Sequence, residues 1–198
     1  MLFETFQLGS LQTNCYLLSA GNGHAVIIDP GANGDRLAKY LDEKSLLLDA
    51  IFLTHCHYDH IGGLAELQHR TGAPVYMHPA EQDVAPVMSG GLLTVSTAPY
   101  PAALTAGGLE FTVYHTPGHS PGSVCLRTEN LLFTGDTLFF GSCGRVDFVG
   151  GSWEKMAASL RFLAGLEGDF SVYPGHGDSS RLSTERKYNP YLREALQA

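Results

Sequence analysis

Within Thr54-His55-Cys56-His57-Tyr58-Asp59-His60, three imidazoles and one carboxylate fall inside six residues, directly after the apolar stretch Ile51-Phe52-Leu53. Imidazole nitrogens and carboxylate oxygens at this density are what divalent metal ions bind. A lone histidine at a strand end is ordinarily a surface or packing residue, whereas a run this dense rarely has a packing explanation. Side chains alternate along an extended segment, so His55 and His57 point one way and Cys56 the other, into packing. With a helix beginning near Ile61, Asp59 and His60 lie close by but displaced, which offers two ligands to one ion and two to a neighbour.

Four more candidates follow the same rule of position. Asp29, His119, Asp136 and His176 each sit just past an apolar, strand-like segment beside Gly or Pro. Polar residues at strand ends converge on one edge of a sheet, where loops build sites on a rigid scaffold. His119 could complete the first ion's set and His176 the second, with the two oxygens of Asp136 as a bridge. Two divalent ions carry +4; Asp59, Asp136 and one hydroxide remove three, leaving positive charge to polarise a carbonyl and stabilise an oxyanion. Ions about 3.5–4 Å apart also share a water and lower its pKa to roughly 7. The catalytic roles are therefore expected at Asp59 and Asp136.

The elements that must hold these residues are legible in outline. Strands are expected at 3–8, 14–18, 24–29, 50–53, 75–77, 109–115, 123–127, 131–134 and 170–173, with a hairpin at Ala20-Gly21-Asn22-Gly23. Apolar periodicity predicts helices at 35–43 (Leu37, Tyr40 and Leu41 on one face), 61–70 and 153–166 (Met156, Leu160, Leu163), and a partly helical tail. Trp153 is expected to pack the last of these helices to the sheet. Residues 79–105 are rich in Pro, Gly, Ser and Thr and read least well; Ser89–Pro101 is expected to shape a pocket mouth. His78 and His115 read as structural, His24 and His69 as surface residues.

The 198 residues, 44% of them hydrophobic, suffice for a full core and are expected to form one domain, 1–198. A net charge of −8 with no basic run disfavours nucleic acid. The start Met1-Leu2-Phe3-Glu4 lacks a signal-peptide pattern, and no apolar run is long enough to span a bilayer. The cysteines at 15, 56, 125 and 143 show no CxxC pairing and read as free thiols of a reducing cytoplasm.

Taken in order, Asp29, the 55–60 run, Pro117-Gly118-His119, Gly135-Asp136 and Pro174-Gly175-His176 resemble the metallo-β-lactamase superfamily over nearly the whole chain. The resemblance implies an α/β fold, an αβ/βα four-layer sandwich of two mixed β-sheets flanked by helices with metals at one edge. It implies that His55, His57 and His119 hold one ion, that Asp59, His60 and His176 hold the other, that Asp136 bridges, and that Asp29 orients the ligand loop. The two divalent ions could be zinc, iron or manganese, since His and Asp suit all three.

Thr134–Phe139 followed by Cys143-Gly144-Arg145 is similar to the glyoxalase II group, which hydrolyses glutathione thioesters, typically S-lactoylglutathione. A thiolate leaves readily, so such chemistry needs no strong general acid. The segment Gly175-His176-Gly177 leading to Glu185 and Asn189-Pro190 resembles short bacterial relatives of that group. The expected partner is a small-molecule thioester, a glutathione conjugate in the family pattern. Two departures stand out. Only 22 residues follow His176, where full-length glyoxalase II carries a helical domain that grips glutathione, and the family's substrate-contacting tyrosines fall at Asp147 and Asp178. Arg145 matches a basic substrate-contacting position; the competing reading is a surface arginine paired with Asp147. Cys143-Gly144-Arg145-Val146-Asp147-Phe148 also matches persulfide dioxygenases, which by resemblance would use one iron on His55, His119 and Asp136. A β-lactamase, a tRNA-processing nuclease, a flavodiiron oxidoreductase and a non-catalytic metal-binding module fit less well. Oligomeric state is left open.

Overall fold

The computed structural model describes residues 1–101 and 103–197. One sheet holds β1 (Leu2–Leu8), β2 (Thr13–Ser19), β3 (His24–Ile28), β4 (Leu47–Phe52) and β5 (Val75–Tyr76), in that spatial order. β1, β2 and β3 pair antiparallel, and β3, β4 and β5 pair parallel. The other sheet holds β6 (Ala103–Ala106), β7 (Leu109–His115), β8 (Val124–Thr128) and β9 (Leu131–Gly135). A small hairpin of β10 (Leu138–Phe139) and β11 (Ser142–Cys143) stands apart from it. With β12 (Ser171–Pro174) and β13 (Ser180–Arg181) the second sheet has the order β13-β12-β9-β8-β7-β6.

Period-two alternation builds four layers. Tyr16, Leu18, Val26, Ile28, Ala50 and Phe52 face Phe111, Val124, Leu126, Leu131 and Phe133 across the gap between the sheets. The alternate residues Cys15, Leu17, Ala25, Ile27 and Ile51 turn outward, under α1 (Gly34–Glu43) and α3 (Leu64–Thr71). On the far side Cys125, Leu132 and Val172 lie under α5 (Trp153–Ala164) and, beyond α6 (Leu182–Tyr188), under α7 (Pro190–Ala195). Helix faces carry Leu37, Ala38, Leu41, Leu64 and Leu67 on one side, and Met156, Leu160, Leu163, Leu192 and Ala195 on the other. Strands apolar on both faces are what burial between a sheet and a helix layer requires. The architecture is the αβ/βα sandwich of two mixed sheets.

Strand direction places the site. β7 and β9 each run antiparallel to β8, and β12 runs parallel to β9, so the C-terminal ends of β7, β9 and β12 reach the same edge. β3 and β4 are parallel in the opposing sheet. Residues just past these five ends are Asp29, His55, His119, Asp136 and His176.

Some elements differ from expectation. The helix expected at 61–70 is two pieces, α2 (Tyr58–Ile61) and α3, broken at Gly62-Gly63. A Cβ at Gly63 would lie 2.7 Å from the Ala32 backbone, so the loop before α1 packs where a continuous helix would carry side chains. Segment 79–105 holds a 3-10 turn (Pro79–Asp83), α4 (Ala85–Met88) and most of β6. Trp153 sits half-buried against the outer cluster, edge-on to Tyr191 of α7 at 6.4 Å. No helix among the described residues is long and apolar enough to cross a membrane.

Candidate metal centre

The chain leaves β4 through Leu53 and Thr54, and His55, His57 and His60 are all buried, as are His119 and Asp136. Ligand atoms of His55, His57 and His119 lie within 4.8 Å of one another, and so do those of Asp59, His60 and His176. Asp136 lies between the two groups: Oδ1 is 3.4 Å from His60 Nε2, and Oδ2 is 3.4 Å from His119 Nε2 and 3.7 Å from His176 Nε2.

Hydrogen bonds around the rim decide which ring nitrogens face inward. His60 Nδ1 donates to Asp29 Oδ2 (2.9 Å), His119 Nδ1 to the Arg145 carbonyl (2.7 Å) and His176 Nδ1 to the Leu11 carbonyl (3.2 Å). Thr54 Oγ1 donates to Asp29 Oδ2 at 2.6 Å and so is left to accept from His55 Nδ1 at 3.0 Å. A neutral imidazole whose Nδ1–H is engaged turns a lone pair outward at Nε2. Four lone pairs therefore point into one space, with His57 Nδ1 2.8 Å from His119 Nε2. His176 Nε2 faces Asp59 Oδ2 at 3.1 Å, and His60 Nε2 faces the same oxygen at 3.5 Å. Buried His55 Nε2, His57 Nε2, His60 Nε2 and Asp136 Oδ1 have no hydrogen-bond partner among the described residues. Lone pairs and carboxylates crowded face to face repel unless positive charge lies among them. The donor set fits divalent cations.

Protonation tendencies divide the imidazoles. Burial, then neighbouring imidazoles, pushes His57 down to about 3 and His55 well down, so both keep the neutral, ligating form. Burial opposes charge on His60, yet Asp136 and Asp29 outweigh it and push His60 up. Burial likewise opposes ionisation of Asp59 and Asp136, but His176 and His60 beside the first and His60 beside the second hold both below the usual carboxylate range. The centre recruits positive charge.

Asp29 also lies within ligand distance of His55 and His60. Its oxygens, however, are taken by Thr54 N (2.8 Å), Thr54 Oγ1 and His60 Nδ1, so it orients the ligands from behind. The residue before His176 is glycine for a local reason. A Cβ at 175 would collide with Asp136 Oδ1 and stand 2.7 Å from His60 Cε1.

The centre floors a cavity of about 730 Å³ walled by Leu11, Tyr58, Val87, Met88, Phe139 and Phe148. Of the stretch Ser89–Pro101 only Gly90 lines it; the wall on that side is Val87 and Met88, just before. Arg145 lines the cavity, and its guanidinium makes two 2.6 Å bonds to Asp147 while lying 4.2 Å over the Phe148 ring. Its guanidinium is thus paired with Asp147 at the cavity wall, while its carbonyl fixes His119. Asp178 is exposed and outside the cavity wall. Cys56 is buried away from both ligand groups, and burial pushes its thiol up. His78 and His115 stack on each other at 4.0 Å, apart from the centre. The sequence did not single out Thr54, Thr13 (which donates to Asp59 Oδ2 at 3.0 Å) or the Leu11 and Arg145 carbonyls. Hydroxyls and backbone oxygens carry no motif of their own.

A four-layer sandwich with paired His/Asp groups at one edge defines a class of metal-dependent hydrolases. The model of the metallo-beta-lactamase superfamily matches residues 8–176, and the chain belongs to that superfamily. It is 35% identical to the probable metallo-hydrolase YqgX of Bacillus subtilis, over 97% of this chain and 98% of that protein. It is 30% identical to the hydroxyacylglutathione hydrolase GloC of Haemophilus influenzae, again over 97% and 98%. Among solved structures it resembles the BLEG-1 B3 metallo-beta-lactamase (TM-score 0.87, 35% identity, 96% of this chain and 99% of that one). TTHA1623 in a di-iron-bound form gives TM-score 0.84 at 36% identity, covering 96% and 100%. ETHE1 from Myxococcus xanthus gives 0.81 at 30% identity, covering 96% and 84%.

Proposed function

We propose that the protein is a dinuclear metal-dependent hydrolase of small thioesters of the hydroxyacylglutathione type. The observation that carries this reading is the pair of ligand groups, His55/His57/His119 and Asp59/His60/His176, with Asp136 between them, Oδ2 near both His119 and His176 and Oδ1 near His60. Likeness to a hydroxyacylglutathione hydrolase supports the substrate class, and likeness to a di-iron structure supports two ions. Two divalent ions held there would polarise the thioester carbonyl and make a water acidic near neutral pH.

The chain's own residues do the rest. Asp29 and Thr54 keep His60 and His55 in the ligating tautomer. Asp59, held by Thr13 and partly open to the cavity, is placed to accept a hydrogen bond from an entering water and orient it. Phe148, Tyr58 and Val87 offer apolar surface to an acyl group, and among the described residues Arg145, held by Asp147, is the one Lys or Arg of the wall and would meet a substrate carboxylate. The thiolate leaves without a strong acid. Four free cysteines suit a reducing cytoplasm.

A second reading, a mononuclear iron persulfide dioxygenase using His55, His119 and Asp136, has its own support in the Cys143–Phe148 segment and the likeness to ETHE1. One sample decides between them. Metal content is measured on the native protein, followed by S-lactoylglutathione turnover and oxygen uptake with glutathione persulfide. Two ions and thioester cleavage support the hydrolase; one iron with oxygen uptake and no cleavage overturns it.

A further inference from the structure

Glu81, in the 3-10 turn beside the first ligand run, is fully buried, although a carboxylate so placed is costly without a partner. No Lys, Arg or His forms an ion pair with it among the described residues. Its two oxygens are used one each. Oε2 accepts from the backbone N–H of Cys56 at 2.8 Å, the peptide between His55 and His57. Oε1 accepts from the N–H of Gly122 at 2.7 Å, in the loop that carries His119. A single carboxylate thus ties together the two loops that bring His55, His57 and His119 into one group.

The fit is close. A Cβ at Gly122 would stand 2.8 Å from Glu81 Cγ and 2.8 Å from Glu81 N, so only glycine lets the carboxylate reach both loops. Charge points the same way. Glu81 adds a further buried carboxylate on the segments that carry the ligands, behind Asp59 and Asp136, which face the imidazoles directly.

We propose that Glu81 is a positioning residue for the His55/His57/His119 metal site, bracing both ligand loops and adding a buried negative charge behind them. The inference rests on the reading that the centre takes two divalent ions. The test is zinc and cobalt titration of metal-free wild type, Glu81→Gln and Gly122→Ala, with circular dichroism to establish folding. Glutamine keeps the shape but loses the charge and turns an N–H₂ toward a backbone donor. Alanine at 122 keeps Glu81 and pushes it away. Both variants are expected to lose roughly 10–100-fold in affinity for one of the two ions, as removal of groups behind metal ligands does. The cobalt spectrum should change with it. Folded variants that bind two ions with wild-type affinity overturn the proposal, even if their thermal stability falls. If Glu81→Gln does not fold, Gly122→Ala decides. A third readout needs no variant: the Cys56 and Gly122 amide protons stay protected from exchange in metal-free wild type if the brace is preformed, and exchange freely if it is not. Wild type that binds no divalent ion would instead sink the dinuclear reading and this one with it.

Discussion

Asp29 accepts three hydrogen bonds, from Thr54 N, Thr54 Oγ1 and His60 Nδ1. Asparagine offers one oxygen and an N–H₂ that would face donors, so Asp29→Asn should lower metal affinity by about 10–100-fold with the fold retained. Competition with a chromophoric chelator measures it, and unchanged affinity would show that the tautomer is set elsewhere. Asp136→Ala should lose both metal occupancy and activity, and normal turnover in that variant would refute the assigned role. Gly175→Ala drives a methyl group into Asp136 and His60, so it should depress metal content while circular dichroism stays native. At this scale the sequence was informative about the seven ligand candidates, because histidine and aspartate at strand ends announce themselves. It was silent on Thr54 and on two carbonyls, whose roles arise from where the chain passes.

Buried Asn189 joins elements that look unrelated along the chain. Its Oδ1 accepts from Tyr191 N and Leu192 N to cap α7, while Nδ2 donates to the carbonyls of Phe139 and Ser142 in the β10–β11 hairpin. That hairpin lines the cavity through Phe139, Ser142 and Cys143. Asn189→Ala should therefore destabilise by about 2–3 kcal/mol, a cap plus buried hydrogen bonds. Denaturant unfolding measures the loss, and KM should rise with it; a loss within error would mean that Glu185, whose Oε2 accepts from Gly141 N at 2.9 Å, holds the hairpin alone. Long periodic elements such as α1 and α5 were legible in the sequence, since their apolar faces repeat at helical spacing. The two-residue strands β10, β11 and β13 were not, because pairing rather than pattern makes them strands. The break between α2 and α3 arises from close packing of the 30–34 loop against Gly62 and Gly63, a contact that periodicity does not encode.

At the scale of the molecule, the connection leaving β4 carries His55, His57 and, in α2, Asp59 and His60, and the second sheet's loops carry His119, Asp136 and His176. Metal bound there ties the sandwich halves together, so removing it should lower the stability of the whole fold. At a free metal concentration 100 times Kd the linkage amounts to about 2.7 kcal/mol. A chelator should shift Tm down by several degrees in one cooperative transition, and added zinc should restore it. An unchanged Tm would place the ions outside the load carried between the sheets. Which residue types gather at strand ends, and in what order, is written in the chain, because ligand chemistry depends on side-chain identity and local spacing. Tertiary structure alone decides that β7, β9 and β12 end at one edge opposite β3 and β4, and that four imidazoles turn Nε2 inward. It also decides that Arg145 lies bound to Asp147. Strand direction and hydrogen-bond partners depend on segments far apart in sequence, and only folding brings those together.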